Sequence, residues 1–156
     1  MSLIEQIAQR LKARGETIAV AESSTGGLIS AALLSQGGAS AYYRGGAIVY
    51  TPKARAALMG VSKEQMGEMR SASEPYARFM ADRVRQHMAA TWGLAETGAT
   101  GPSGNAYGDA AGHCCLAVSG PVSLSRVLET GHGERMANME TFRDTALELL
   151  LEALNG

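Results

Sequence analysis

The stretch Thr17-Ile18-Ala19-Val20-Ala21 runs directly into Glu22-Ser23-Ser24-Thr25-Gly26-Gly27 and then into a new apolar segment at Leu28. An apolar run this short has no polar face. It reads as a strand buried on both sides, as in parallel sheets. The strand turns into a helix within a few residues, and that alternation recurs. Ala47-Ile48-Val49-Tyr50 is a second expected strand, and Thr51-Pro52 opens a helix to about Met59, with Thr as N-cap and Pro at the first helical position. Gly93 to Thr97 is a third strand; His113–Val118 and Val122–Glu129 are two more, joined by the turn signal Ser119-Gly120-Pro121.

Helices fill the gaps. Leu3, Ile4, Ile7, Ala8 and Leu11 share one face of a first helix, capped by Ser2 and ended by Gly15. Leu28 to about Ser35 forms a second. Ser62 and Gln65 make a capping box. Ser73 opens a longer helix, and about Glu134 to Ala153 is the last. Alternating strands and helices predict an α/β fold: a single-domain three-layer α/β/α sandwich with a mostly parallel sheet and an antiparallel edge. The length of 156 residues fits one domain over 1–156. In such sheets ligands bind beyond the carboxyl ends of the strands. Three loops leave those ends: Glu22–Gly27, Tyr50–Arg55 and Thr97–Gly108. If they share one edge, they form one pocket.

Composition narrows the function classes. Apolar residues make up 46% and charged residues 19%, which rules out wholesale disorder. A net charge of −1 gives no sequence-wide attraction to nucleic acid or anionic membrane. The adjacent Cys114 and Cys115 are no disulfide framework, and at least one thiol is expected in the core. The three scattered histidines and these cysteines offer no metal-ligand spacing, so neither metal nor cofactor is expected. The N-terminus lacks a basic region followed by an apolar run, and no window matches a membrane helix. The expectation is a cytoplasmic protein.

The Glu22–Gly27 turn joins a buried strand to a helix. Amides at a helix start can hold an anion or an oxyanion, and Gly26 and Gly27 permit close approach. One reading gives a hydroxyl of Ser23 or Ser24 to the crevice; the other makes one of them a plain N-cap. The loop from Thr97 to Gly104 carries three glycines and exposes amides suited to phosphate, or is an ordinary long turn; it is not a P-loop. Tyr50, Lys53 and Arg55 offer a phenol and two cations near a helix start; the alternative has Tyr50 covering the core edge and Arg55 on a solvated helix face. His113 and His87 read as structural, and His132 falls in a loop.

The segment ending in AESSTGG, Thr17 to Gly27, resembles the AESCTGG segment of the CinA C-terminal domain family, the competence/damage-inducible proteins. The resemblance continues through Ala39–Gly46 (GSSxxFxGG in the family), Tyr50–Val61 (YSNxAKxxLLGV) and Ser71–Glu74 (GAVSE). It extends to Thr97–Gly104 (TGIAGPxGG) and Gly133-Glu134-Arg135 (GDR), and so covers essentially the whole chain. It implies a compact, self-associating α/β domain that hydrolyses the carboxamide of nicotinamide mononucleotide without a metal. It further implies Ser23 as nucleophile, with Tyr50 and Arg55 in catalytic positions. Ser24, Thr25, Gly26, Gly27, Thr97, Gly98, Ala99, Gly101 and Arg135 fall to substrate binding.

Two departures bear on the chemistry. The family's catalytic lysine falls on Arg55, and a guanidinium does not give up its proton in proteins. Lys53 lies about 200° around the helix from it and is no replacement. The family's PxGTV is here Ala110-Ala111-Gly112-His113-Cys114, which alters a wall of the pocket. Three functions therefore stand: a nicotinamide mononucleotide amidase, a nucleotide-binding module that lost catalysis through Arg55, and an amidohydrolase for another small amide.

Overall fold

The computed structural model describes residues 1–156. Its centre is a five-stranded sheet in the order β2-β1-β3-β4-β5. The strands are β1 (Ile18–Glu22), β2 (Tyr43–Ile48), β3 (Trp92–Gly98), β4 (His113–Ser119) and β5 (Leu124–Glu129). β2, β1 and β3 run parallel; β4 is antiparallel to both β3 and β5. The sheet is therefore mixed. Its antiparallel part takes in the β3–β4 pairing as well as the expected β4–β5 edge.

The helices are α1 (Leu3–Arg14), α2 (Leu28–Leu34), α3 (Pro52–Met59), α4 (Lys63–Met66), α5 (Glu74–His87) and α6 (Arg135–Asn155). α1, α2 and α6 cover one face of the sheet; α5 covers the other, with α3 against it. The caps read from the sequence form. Ser2 and Glu5 close a capping box on α1, and Gly15 ends that helix in the left-handed conformation at φ 62°. Thr51 Oγ1 accepts from the Ala54 N–H at 3.1 Å, with Pro52 at the first position of α3. Ser62 and Gln65 close the box on α4.

Strand alternation sends large and small side chains to opposite sides. Ile18, Val20, Leu94, Leu116 and Val118 meet α1, α2 and α6 together with Trp92 and Phe142. Ala19, Ala21, Ala95, Cys115 and Ala117 meet α5 and the methionines 59, 66 and 80. Cys114 and Cys115 are both buried, one in each core. Burial pushes the Cys115 thiol up to about 11, so it remains a neutral core residue. No helix is long and apolar enough to cross a membrane.

The second strand differs from its expected position. It occupies Tyr43–Ile48 rather than Ala47–Tyr50, pairing through Ala19↔Gly45, Val20↔Gly46 and Ala21↔Ala47. Val49 and Tyr50 instead leave the sheet and form part of the site.

Candidate active site

The carboxyl ends of β1, β2 and β3 open onto a cleft of about 250 Å³. Ser23 lines it just after β1; Val49, Tyr50 and Thr51 line it after β2; Thr97 and Gly98 at the end of β3. Arg55 from α3, Tyr76 from α5, the Ser71-Ala72 segment, and Asn105 and Tyr107 from the glycine loop complete the wall. Sequence reasoning had singled out Ser23, Tyr50, Arg55, Thr97 and Gly98, and all five lie at this one edge.

Two residues that sequence reasoning passed over organise the turn after β1. Glu22, the last residue of β1, and Glu96, two residues before the end of β3, stand side by side on adjacent parallel strands, since Ala21 pairs with Ala95. Both are buried. Glu22 accepts from the amides of Gly27 (3.0 Å), Ile29 (3.0 Å) and Ser30 (2.8 Å), so it caps α2 from the strand that precedes it. Glu96 accepts from the amides of Ser23 and Thr25, each at 2.9 Å, and from the hydroxyls of Ser24 (2.5 Å) and Thr25 (2.7 Å). Thr25 Oγ1 also lies 2.7 Å from Glu22. Buried carboxylates need such donors, because an unsatisfied charge is far more costly than a hydrogen-bonded one.

This network corrects two expectations for the turn. Its amides are not an open anion site: those of Ser23, Thr25 and Gly27 serve the two glutamates, and that of Gly26 bonds the Ser23 carbonyl at 3.2 Å. Only the Ser24 amide is left without a partner in the chain. Ser24 and Thr25 do not line the cleft either; both are buried with their hydroxyls on Glu96. Gly26 and Gly27 have φ of 62° and 108° and let the chain turn into α2. Gly27 is the N-cap of α2, so neither serine takes that place. The Ser23 hydroxyl is half-buried at the cleft and has no hydrogen-bond partner in the chain.

Arg55 is half-buried. Its guanidinium donates to Ser71 Oγ at 3.3 Å and stands 5.5 Å over the ring of Tyr76. None of the ion pairs in the protein includes it. The cleft thus holds a cation with no carboxylate to neutralise it. Lys53 is exposed and lies outside the cleft.

The glycine loop is tied down from two sides. Arg135 on α6 donates to the Gly101 carbonyl and, at 3.3 Å, to Tyr50 Oη at the rim. Asn138, fully buried, donates to the carbonyls of Thr100 (2.9 Å) and His132 (2.8 Å) and accepts from Thr130 Oγ1 (2.6 Å). Its sequence signal is a polar residue on the apolar face of α6, one turn before Phe142. Ala99 and Gly101 support the loop base and stay outside the cleft lining. At the loop tip, Arg70 grips Asp109 through two hydrogen bonds (2.8 and 3.3 Å) and stands 5.0 Å over the ring of Tyr107.

Thr97 is buried, and its hydroxyl accepts from the Ala72 amide at 2.9 Å. His113, named above as structural, also serves this wall. Its Nε2 is 2.8 Å from the Ala72 carbonyl and its Nδ1 2.5 Å from Glu129. Both ring nitrogens are engaged and neither faces Ser23, so His113 is no proton acceptor for that hydroxyl.

The family model of the CinA C-terminal domain matches residues 1–154. A CinA-like protein of Anaeromyxobacter sp. (strain K) is 37% identical over 97% of this chain, and one of Gloeobacter violaceus is 43% identical over 69% of it. This chain spans 37% and 25% of the length of those two relatives. Among solved structures, a CinA superfamily protein of Klebsiella pneumoniae 700603 superposes with a TM-score of 0.89 at 28% identity, over 98% of this chain and 96% of its own. A competence/damage-inducible protein of Agrobacterium tumefaciens gives 0.83 at 32% identity, over 100% and 98%. The chain belongs to the CinA C-terminal domain family.

Proposed function

We propose that this domain is an amidohydrolase of nicotinamide mononucleotide, converting its carboxamide to a carboxylate with release of ammonia. The observation that carries the reading is the Ser23 hydroxyl, unpartnered in a cleft that also holds an arginine with no counter-ion. In the proposed reaction Ser23 Oγ bonds to the carboxamide carbon and its proton passes to the amide nitrogen. The C–N bond breaks, ammonia leaves, and water then hydrolyses the ester, returning a proton to Ser23 and giving the carboxylate. Arg55 attracts the substrate phosphate or stabilises the developing oxyanion. The free Ser24 amide is the backbone donor nearest in sequence to the nucleophile. Ammonia release from nicotinamide mononucleotide tests this, with Ser23→Ala expected to abolish it and Ser24→Ala to spare most of it. Fast turnover that survives Ser23→Ala overturns the nucleophile assignment.

One observation favours a second reading, a binding module that has lost catalysis. No side chain accepts a hydrogen bond from Ser23 Oγ, and the residue at the family's lysine position cannot act as a base. Loss of a general base costs about 10²–10⁴-fold in rate. Calorimetric binding of the nucleotide without ammonia release, together with Arg55→Lys raising turnover, selects this reading. Fast native turnover that Arg55→Lys lowers selects the enzyme. Ammonia from another amide, with no binding of this nucleotide, redirects the substrate assignment. Self-association belongs to the same proposal, supported by exposed Leu34, Ile48, Leu58 and Val127. Sedimentation as a monomer at tens of micromolar overturns that part.

A further inference from the structure

We propose that doubly protonated His113 is a positioning residue for the cleft, holding Ala72 against Thr97 and so making ligand affinity at this site depend on pH. The proposal rests on the cleft being the nucleotide site.

Ala72 is the starting point. It lines the cleft, and its backbone is left-handed at φ 57°, a conformation that a residue with a Cβ keeps only when its surroundings hold it there. Two groups hold it. Its N–H donates to Thr97 Oγ1 at 2.9 Å, and its carbonyl accepts from His113 Nε2 at 2.8 Å. Ser71, the preceding residue, accepts from Arg55 at 3.3 Å. The Ser71-Ala72 segment therefore links the cation of the cleft to the end of β3.

The other nitrogen of His113 fixes its charge state. Nδ1 is 2.5 Å from Glu129 Oε1. A carbonyl oxygen and a carboxylate both only accept, so the ring keeps both bonds only with a proton on each nitrogen. Neutral imidazole has one N–H. It either abandons the Ala72 carbonyl or turns a lone pair toward Glu129.

The surroundings agree. Burial disfavours the charge, but Glu129, the Ala72 carbonyl and Asp109, whose Oδ1 is 3.7 Å from Nε2, outweigh it and raise His113 above its ordinary 6.5. Asp109 is itself gripped by Arg70. Cys115 Sγ, on the same strand, is 3.7 Å from Nε2 and is neutral; beyond it α5 presents Glu74, bonded by Ser125, and β3 presents the uncharged Thr97. A group raised on folding contributes fully below its unfolded value, here about pH 6.5, and its contribution is lost as pH rises through the higher folded value.

The test follows the imidazole ¹⁵N shifts of His113 and the amide shifts of Ala72 and Thr97 against pH in the ligand-free protein. It then titrates nicotinamide mononucleotide calorimetrically at pH 6 and pH 8.5. The Ala72 amide is expected to move in step with the ring, and affinity to fall about tenfold across that transition, the scale of losing one charge-assisted hydrogen bond. Glu129→Gln, on the outer strand and outside the cleft, shifts the ring transition to lower pH and carries the affinity transition with it. The ligand phosphate also titrates, near pH 6, but identically in every variant. His113→Gln keeps a donor for Ala72 and cannot ionise, so its affinity should lack the ring-linked change. A neutral His113 at pH 6, an affinity transition that ignores Glu129→Gln, or full pH dependence in His113→Gln overturns the proposal. If the nucleotide binds at no pH, the reading of the cleft fails, and the proposal falls with it as stated. The coupled shift of the Ala72 amide then decides the positioning role alone: in step with His113 it stands, independent of it it falls.

Discussion

The two faces of the sheet are buried in different ways. Toward α1, α2 and α6 the strands send Ile18, Val20, Leu94, Leu116 and Val118 into a core with Trp92 and Phe142. Toward α5 they send mostly alanine. The first face is filled by side-chain volume and the second by close approach of the helix backbone to the sheet. At Gly93 the approach is so close that a Cβ would overlap the Ala81 carbonyl of α5. The cleft lies at the edge of the close-approach face, where Thr97 and Tyr76 stand. The glutamates that brace the Glu22–Gly27 turn follow the register of the other face. The difference teaches that the site borrows its rigidity from both sides of the sheet.

Adjacent residues on β3 break the comparison most sharply. Leu94→Ala leaves a cavity on the volume-filled face and is expected to cost roughly 3–5 kcal/mol in urea unfolding. Gly93→Ala, by contrast, adds one methyl group on the other face and should cost about 3 kcal/mol by overlap. A neutral Gly93→Ala would mean that α5 slides freely on the sheet. The next pair lies in the turn. Ser24→Ala removes a buried donor from Glu96 and is expected to lower stability by about 1–2 kcal/mol. Ser23→Ala should stay within about 0.5 kcal/mol of the parent, because its hydroxyl holds nothing in the fold. Equal stability losses at the two serines would erase the distinction between the bracing hydroxyl and the free one.

The smallest expected loss is electrostatic and confined to acid pH. The Arg70 hydrogen bonds hold the Asp109 carboxyl below its usual value near 3.8. Its contribution is full above about pH 4 and is lost as pH falls through the lowered value. Because the Arg70 side chain is 39% exposed, the contribution is under about 1 kcal/mol after solvent screening. Asp109→Asn should flatten that part of the acid stability profile, and an unchanged profile would show that the loop tip does not depend on the pair.

Elements whose signals are local were legible in the sequence. The caps at Ser2, Gly15, Thr51 and Ser62 each depend on residues within one turn, and all formed as read. β2 was misplaced because it lies at the sheet edge and alternates between partly buried and exposed positions through Gly45-Gly46, whereas the apolar run that follows is partly the cleft rim. Glu22 and Glu96 were missed because acids at strand ends usually point to water. Their signal was present: near the end of both strands stands Ala-Glu followed by a hydroxyl residue, at Ala21-Glu22-Ser23 and Ala95-Glu96-Thr97. Only the pairing of β1 with β3 shows that the two acids meet. The contact of His113 with Ala72 likewise spans 41 positions, and no local pattern announces it.

The bracing of Ser23 and Thr25 by Glu96, 73 and 71 positions away, also governs when the turn acquires its shape. The seven residues of AESSTGG contain only part of their fastening: Glu22 holds the Gly27 amide, and the amides of Ser23 and Thr25 depend on Glu96. A segment ending at α3 would carry the whole motif and still lack this second carboxylate. Closing so long a loop requires β3 to dock beside β1, so the Glu22–Gly27 turn is expected to take form with the sheet rather than before it. In the folded protein the same fastening is expected to give the Ser23 and Thr25 amides the slow hydrogen exchange of the central strands, which amide-exchange measurement checks.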